Sequence, residues 1–176
     1  MRNTFLLHAL PEVLQLEGGY SDNPNDSGGP TNRGITQAVY NEYRKSHNLQ
    51  ITSVKYITPS EVADIYKSNY WDVINGDLLP FPIDWVTFDA AVNMGPVTAE
   101  HFLDAALELP ASAGVDAKVI ADAKAACTTQ AGTHTLKEKE LSLRIARYHE
   151  IADTYAHDQV FLQGWLNRVS ELDKAS

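Results

Sequence analysis

The sequence has a single cysteine, Cys127, among its 176 residues. One cysteine cannot form a disulfide within the chain, so the fold does not depend on an oxidising compartment. The residues before it, Ala-Lys-Ala-Ala, are mostly small and typical of a helix face that packs closely. We therefore expect a buried or half-buried thiol and not a nucleophile.

Basic residues are also scarce, since 14 Lys and Arg stand against 23 Asp and Glu, for a net charge of −9. Nucleic-acid binding needs a basic surface, so this balance argues against DNA or RNA as a partner. The six histidines include no pair at i, i+4, which disfavours a zinc site. Phosphate loops, calcium loops and Gly-x-Ser-x-Gly are missing too. We expect no metal and no other cofactor.

Long apolar runs are missing as well, and none approaches the ~20 residues of a membrane-spanning helix. Stable membrane insertion is therefore not expected. The N-terminal segment has one arginine and several leucines, but His8, Pro11 and Glu12 interrupt it and no small-residue cleavage site follows. This pattern does not match a signal peptide. The sequence thus predicts a protein made in the cytoplasm, which needs outside help for any export.

Helical patterns fill most of the chain, and few segments show the alternation typical of strands. Apolar spacing and capping signals predict helices over 5–17, 36–46, 58–71, 82–92, 97–107, 117–127, 136–155 and 160–172. Pro11 either kinks the first helix or begins a second one. The helix over 82–92 is apolar on nearly every side and should be central. The fold class is mainly α, and we expect a monomer.

Two regions interrupt this helical pattern. Residues 20–33 are predicted to form a loop or a small irregular hairpin, and a second loop is expected around Gly132. A polar joint near residues 110–115 is the one plausible boundary within the chain. It divides a first domain, residues 1–110, from a helical C-terminal lobe, residues 111–176.

The stretch from Glu17 to Thr36 contains the candidate chemistry. Glu17 follows an apolar helix and precedes a glycine pair, which places it in the last helical turn. Asp22 and Asp26 lie in the turn-forming segment that follows, with a second glycine pair and Thr31. A helix-end glutamate before a glycine cap is common, so spacing alone leaves a functional and a structural interpretation equally open.

Two carboxylates separated by a flexible loop suit the cleavage of a glycosidic bond. That reaction needs a proton donor for the leaving oxygen and usually a second carboxylate. Glu17 and Asp26 could face each other across a groove, with Thr31 placing a water. Asp22 fits better as a side-chain turn cap. Tyr20 and Tyr40 flank this loop and are candidates for stacking against sugar rings.

Several blocks of the sequence resemble the glycoside hydrolase 108 family. The most specific block comprises Glu17-Gly-Gly-Tyr20, Asn25-Asp26-x-Gly28-Gly29-x-Thr31 and Gly34-Ile35-Thr36. Further blocks along the chain are Ala63-Asp64-Ile65-Tyr66, Tyr70-Trp71-Asp72, Phe88-Asp89-Ala90-Ala91-Val92-Asn93-x-Gly95 and Gly164-Trp165-Leu166-Asn167-Arg168. Members of this family are lysozyme-like muramidases found as phage endolysins, and some are described as secretion activators.

The resemblance implies a lysozyme-like helical fold and cleavage of the bond between N-acetylmuramic acid and N-acetylglucosamine. It assigns the general acid to Glu17. The spacing of Glu17, Asp26 and Thr31 is also similar to the Glu/Asp/Thr arrangement of phage lysozymes. The implied partner is bacterial peptidoglycan, and the implied role is that of a phage endolysin that reaches the cell wall with the help of a holin.

One segment departs from the family pattern. Many members carry an Asp-Gly-x-Ile-Gly-Pro-x-Thr segment similar to peptidoglycan-binding modules. This chain has Ala-Gly-Val-Asp-Ala-Lys-Val-Ile at residues 113–120, without the glycine and proline turn. Wall binding by the C-terminal lobe therefore stays an open alternative.

Asn93 and the tryptophans have competing interpretations. Asn93 either ends the predicted central helix before Gly95-Pro96 or hydrogen-bonds an acetamido group of the substrate. Trp71, Trp85 and Trp165 are predicted mostly for the core.

Two other functions also fit the sequence. A lytic transglycosylase needs the acid but no water-activating carboxylate. A non-enzymatic wall-binding or secretion-assisting protein would keep only the fold.

Overall fold

A computed structural model of the chain describes residues 4–22 and 29–174. Helices α1 to α8 span Leu10–Glu17, Gln37–Ser46, Pro59–Tyr66, Ile83–Met94, Pro96–Ala106, Ala117–Ala126, Gln130–Thr154 and Gln159–Lys174. Strands β1 and β2 are Thr31–Asn32 and Ile35–Thr36. Two π-helical turns are Phe5–Ala9 and Lys67–Trp71, and short 3-10 turns are Val54–Tyr56, Gly76–Leu78 and Ala156–Asp158. The mainly α fold class predicted from the sequence is confirmed.

The first helix accommodates Pro11 without a break. Phe5–Ala9 runs directly into α1, and Pro11 lies in the first turn of α1, where a missing backbone N–H costs least. The helix ends at Glu17, and Gly18 follows with a φ of 73°, a conformation that residues with a side chain rarely adopt. Glu17 therefore lies in the last helical turn, as predicted.

A short hairpin follows and leads directly into α2. Strand β1 pairs antiparallel with β2, with Thr31 opposite Thr36. The Thr36 side chain then accepts a hydrogen bond from the backbone N–H of Val39 and caps α2, which satisfies a donor that the helix start leaves free. Thr58 and Glu61 form a reciprocal capping box at the start of α3, which satisfies backbone N–H groups there. These caps define where α2 and α3 begin.

Helix α4 is the central helix, as the sequence predicts. Nine of its 12 residues are buried, and it contacts α5, α7 and the N-terminal π-helical turn. The ring of Phe88 packs edge-on against Phe5 and Trp71, with centroids 5.6 and 5.5 Å apart. Two of the buried residues in α4 are the acids Asp84 and Asp89, and such groups need partners or protonation.

The predicted loop around Gly132 is wrong, because α7 already begins at Gln130. The Thr129 hydroxyl accepts a hydrogen bond from the backbone N–H of Gly132 at 3.1 Å. This cap stabilises a first turn that glycine would otherwise weaken. The helix gains more than one extra turn over the predicted start at residue 136.

The helices after residue 110 pack onto those before it. Helix α7 contacts α4 and α5, and α8 contacts α7. This arrangement brings α8 alongside the C-terminal end of α1, where Glu17 lies.

The division into residues 1–110 and 111–176 stays a prediction. In the described ranges, no helix has both the length and the apolar character that crossing a bilayer requires.

Two buried acids are expected to make stability depend on pH. Burial raises the pKa of Asp84 to about 7, against an opposing hydrogen bond from the backbone N–H of Trp85. Burial likewise raises the pKa of Glu140 to about 8, in spite of the nearby Thr87 hydroxyl and Arg144. Both groups bind protons more tightly in the folded chain. The stabilisation of the folded state by these two groups is therefore complete below about pH 4, and it is lost as the pH rises through 7 to 8.

Glu140→Gln should flatten this dependence, because the amide keeps the shape of the side chain but cannot ionise. We expect the fall in melting temperature between pH 5 and pH 9 to be smaller in the variant. The difference should be about 2–4 °C for each kcal/mol of unfolding free energy that no longer depends on pH. Glu150→Gln, an exposed position on the same helix, is the matched control. Equal pH dependence in wild type and Glu140→Gln would contradict the prediction.

Candidate active site

Glu17 is the last residue of α1, and its side chain, which is 20% exposed, faces α8. The Arg168 guanidinium reaches it from α8, with Nη1 donating to Glu17 Oε1 at 2.9 Å. The Arg168 side chain is itself only 10% exposed. A charge-assisted hydrogen bond of this kind is short and directional, so one carboxyl oxygen of Glu17 has a fixed position.

A fully buried carboxylate, Asp89 in α4, holds Arg168 in place. Arg168 Nε donates to both carboxylate oxygens at 3.0 Å, and Nη2 lies 2.9 Å from Oδ1. Arg144 of α7 approaches the same carboxylate, with Nη1 2.7 Å from Oδ2. A buried ion pair needs good geometry and further hydrogen bonds to offset desolvation. The four residues Glu17, Arg168, Asp89 and Arg144 form what we call the charge network.

The electrostatics of the charge network keep Arg168 charged. Burial alone would lower the pKa of Arg168, but the carboxylates of Asp89 and Glu17 outweigh burial and raise it above its ordinary value. Tyr66, the last residue of α3, and Tyr70, in the π-helical turn that follows, both interact electrostatically with Glu17. Burial, and after it the charge of Glu17, raises the pKa of both phenols, so both stay neutral hydrogen-bonding groups at ordinary pH.

The hairpin turn closes over Glu17 at Gly34. Its φ is 75°, and a Cβ there would lie 2.5 Å from the Tyr66 hydroxyl and 2.9 Å from Glu17 Oε2. Any side chain at this position would therefore displace the second carboxyl oxygen. The Tyr66 hydroxyl donates to the backbone oxygen of Arg33 at 2.8 Å, which ties the turn to α3.

Two of the residues predicted to belong to the site, Thr31 and Tyr20, lie in or next to the hairpin. Thr31 is in β1, its backbone pairs with Ser21, and its hydroxyl donates to the Gly29 oxygen at 3.2 Å. Tyr20 is 40% exposed, and Lys55 Nζ lies 5.5 Å from the centre of its ring. Asp26, the predicted second carboxylate, lies outside the described residues.

The sugar-stacking role predicted for Tyr40 is not supported. Its side chain is completely buried, and its hydroxyl donates to Glu61 Oε2 at 3.0 Å and accepts from Arg44 Nη1 at 2.8 Å. Tyr40 is close to the loop in sequence, but it lies on the side of α2 that faces the core. Tyr40 is a structural residue that joins α2 to α3.

Asn93, the predicted acetamido ligand, lies at the C-terminal end of α4. Its Oδ1 accepts a hydrogen bond from the Tyr148 hydroxyl at 2.5 Å. The Trp165 ring stacks on Tyr148, with centroids 5.0 Å apart and an interplanar angle of 18°. Trp71 and Trp85 are buried in the core as predicted, while Trp165 is half-buried.

Sequence reasoning gave no role to Asp89, Arg144, Arg168 or Tyr66. Three of them lie in blocks that carry the family resemblance. The signal that could have found Asp89 is an acid in the middle of a helix that is apolar on all sides, since a buried carboxylate needs a positive partner. No comparable local signal marks Arg168.

This arrangement suits proton transfer. When a carboxylic acid at Glu17 releases its proton, the Arg168 guanidinium already lies within hydrogen-bonding distance of the new carboxylate. The negative charge therefore develops beside a positively charged donor. Within residues 4–22 and 29–174, no group of three or more His, Cys, Asp or Glu side chains is placed to hold a metal ion.

Comparisons with known proteins identify the family of the chain. The family model for glycosyl hydrolase 108 matches residues 10–95. The chain is similar to the solved structure of Brucella abortus SagA, with 30% identity, a TM-score of 0.77, and coverage of 99% of this chain and 94% of that one. No curated protein matches the sequence. The chain is a glycoside hydrolase and belongs to the glycoside hydrolase 108 family.

Proposed function

We propose that the protein is an N-acetylmuramidase that hydrolyses the β-1,4 bond between N-acetylmuramic acid and N-acetylglucosamine in bacterial peptidoglycan. The observation that carries the proposal is the placement of Glu17. A partly exposed carboxyl ends a helix, one oxygen is fixed by Arg168 at 2.9 Å, and the Gly34 turn leaves no room for a side chain beside the other.

In this proposal Glu17 is the general acid. It protonates the glycosidic oxygen as the bond to the sugar carbon breaks, and Arg168 stabilises the carboxylate that results. Asp26 supplies the second carboxylate, which assists the displacement by water. Thr31 belongs to the hairpin that contacts Glu17 through Gly34, and we assign it to placing that water.

We also propose that the protein acts as a phage endolysin. In this proposal it is made in the host cytoplasm and reaches the wall after a holin opens the membrane. The expected partner is the glycan strand alone, with no nucleic acid and no stable membrane insertion, and we expect a monomer.

The test is digestion of purified sacculi, followed by mass analysis of the products. Fragments that end in reducing muramic acid support a muramidase. Anhydro sugars as the main product would instead identify a lytic transglycosylase. Sedimentation with sacculi, without loss of turbidity and without products, would identify a non-enzymatic wall-binding protein.

Asp26 and Asp22 should respond differently to the same change. Asp26→Asn should lower turnover by at least about tenfold, or 1.4 kcal/mol of transition-state stabilisation, because it removes the second carboxylate. Asp22 is exposed and its Oδ2 accepts a hydrogen bond from the Tyr20 hydroxyl at 3.2 Å. Asp22→Asn keeps an acceptor oxygen and should cost little activity.

The measurement is turnover at a saturating concentration of sacculi, and binding to sacculi is measured separately by sedimentation. Each variant serves as the control of the other, since both replace an acid in the same segment. Equal losses, or a larger loss in Asp22→Asn, would show that the second carboxylate is not Asp26.

A further inference from the structure

The turn of the hairpin holds an arginine in a backbone conformation that arginine rarely adopts. Only Arg33 and Gly34 connect β1 to β2, and their φ angles are 51° and 75°. A two-residue turn with positive φ at both positions is of type I′, for which Asn-Gly is the preferred sequence. Glycine adopts this conformation without strain, whereas a long side chain does so at a cost. An outlier of this kind beside Glu17 points to a function for the Arg33 side chain.

The Arg33 guanidinium has no acidic partner within residues 4–22 and 29–174. Each of the other described arginines lies 2.5–2.9 Å from a carboxylate oxygen, namely Arg44, Arg144, Arg147 and Arg168. The Tyr66 hydroxyl anchors the Arg33 backbone oxygen at 2.8 Å, so the backbone is fixed while the half-buried side chain stays unpaired. In a chain with a net charge of −9, this guanidinium is available to an anionic ligand.

Arg33 lines a cavity of about 450 Å³ between the hairpin turn and α1. This volume falls in the range of ~300–1,000 Å³ that is typical of ligand pockets. The rest of the lining comes from α1 and the glycine after it, and comprises Leu10, Pro11, Leu14, Gln15 and Gly18. These walls are apolar apart from the Gln15 amide and the guanidinium. The cavity therefore suits a ligand that carries both a carboxylate and small apolar groups.

The cavity adjoins the proposed general acid. Gly18 directly follows Glu17, and a Cβ at Gly34, the neighbour of Arg33, would lie 2.9 Å from Glu17 Oε2. In the proposed reaction the bond that breaks begins at a muramic acid ring. The same ring carries the stem peptide on its lactyl group, so the peptide leaves the glycan close to Glu17. It can then enter the cavity while the glycosidic oxygen lies at the acid.

We infer that Arg33 binds a free carboxylate of the peptidoglycan stem peptide, an inference that rests on the proposed function. The guanidinium presents paired N–H donors that match the two oxygens of a carboxylate. Leu10 and Leu14 offer apolar surface to the alanine methyl groups of the peptide. Because Arg33 contacts the substrate away from the reacting atoms, it should lower KM and leave kcat nearly unchanged. The enzyme should then prefer strands whose stem carboxylates are free over strands in which they are amidated.

Amidation of the stem carboxylates distinguishes this site from general electrostatics. Carbodiimide and ammonia convert the carboxylates of purified sacculi to amides and leave the peptides in place. Since the chain has a net charge of −9, a less negative wall repels it less, and without a specific site amidation should favour cleavage. The Arg33 site predicts the opposite sign. Wild-type kcat/KM should fall by at least about tenfold on amidated sacculi, because a charge-assisted hydrogen bond is lost.

The experiment measures kcat and KM of wild type and Arg33→Asn on untreated and on amidated sacculi. Asparagine tolerates positive φ, as Asn48 and Asn75 do in this chain, and it keeps the backbone oxygen that Tyr66 contacts. The melting temperature should therefore not fall. On untreated sacculi the variant should have a kcat/KM at least about tenfold below wild type, through a higher KM. On amidated sacculi the variant and wild type should be equal.

Lys45→Asn is the matched control for Arg33→Asn. It also replaces one positive charge by asparagine, at an exposed position in the last turn of α2. It should match wild type on both substrates, which excludes a general effect of net charge.

The outcomes separate the two proposals. Wild type that cleaves amidated sacculi as well as untreated sacculi would overturn the carboxylate site while the muramidase assignment stands. So would an unchanged KM of Arg33→Asn on untreated sacculi. An equal loss for this variant on both substrates would also overturn the site, because Arg33 would then act on the turn or on Glu17. If wild type releases no reducing muramic acid from either substrate, the proposed function fails, and the site fails with it.

Discussion

Glu17→Gln should reduce lysis of sacculi by about 10²–10⁴-fold, the usual contribution of a general acid. Glutamine has nearly the same shape but carries no proton that it can transfer to the glycosidic oxygen. Its amide oxygen can still accept from Arg168 Nη1, which bonds Glu17 Oε1 in the wild type. Arg168 also keeps its contacts with Asp89. The melting temperature should therefore stay close to that of wild type.

Glu12→Gln provides the control for Glu17→Gln. Glu12 is an exposed acid on the same helix, near its start, so the substitution removes one charge from α1 without touching the site. It should leave both lysis and melting temperature unchanged. Activity of Glu17→Gln within a few-fold of wild type, measured as turbidity loss and released products, would remove Glu17 from the role of acid.

The sequence predicts the helices and the position of Glu17 well, because these depend on local signals. A capping threonine, a proline at a helix start and a glycine after a helix end each act within a few residues. The central helix could also be predicted, since a segment that is apolar on every side has to be buried. The loop expected at Gly132 was wrong because the Thr129 cap offsets the low helix propensity of glycine.

The site depends on contacts that no local pattern contains. Arg168 is 79 residues from Asp89 and 151 residues from Glu17, and it reaches both only because α7 and α8 fold back over α4. The error at Tyr40 has a related cause. The prediction used closeness in sequence to the Glu17 segment, whereas the direction in which α2 presents each side chain decides what it contacts.

Asp89→Asn should produce the largest loss of stability among single changes in the charge network. Asp89 is completely buried and neutralises two arginines, Arg168 and Arg144. Asparagine keeps the volume but removes the carboxylate that the two buried arginines share, which leaves Arg168 paired only with Glu17. Removing one partner of a buried ion pair typically costs about 3–5 kcal/mol, a large part of the ~5–15 kcal/mol that holds a domain folded.

The same change should also lower activity where the variant is still folded. Both carboxylate oxygens of Asp89 accept a hydrogen bond from Arg168 Nε. These bonds orient the guanidinium so that Nη1 points at Glu17. Weaker contact with asparagine would let the guanidinium move, so kcat should fall by about tenfold or more at temperatures well below the melting transition. Substrate binding in sedimentation assays should change little, because Asp89 is buried beneath the site.

Asp104→Asn is the control for Asp89→Asn, since Asp104 is another buried acid and lies on the neighbouring helix α5. Its carboxylate accepts hydrogen bonds from the backbone N–H and the hydroxyl of Ser112, both at 2.7 Å. Asparagine can replace one acceptor there without leaving a buried cation unpaired, so the cost should be about 1–2 kcal/mol.

Adding Arg144→Met to Asp89→Asn should restore part of the lost stability, because the double variant buries one fewer uncompensated charge. It should not restore kcat, since Arg168 still lacks the carboxylate that directs it at Glu17. Chemical denaturation measures the free energy of unfolding, and turnover of sacculi measures kcat. If stability and kcat recover together, Asp89 acts only through folding, and the positioning of Arg168 contributes nothing to catalysis.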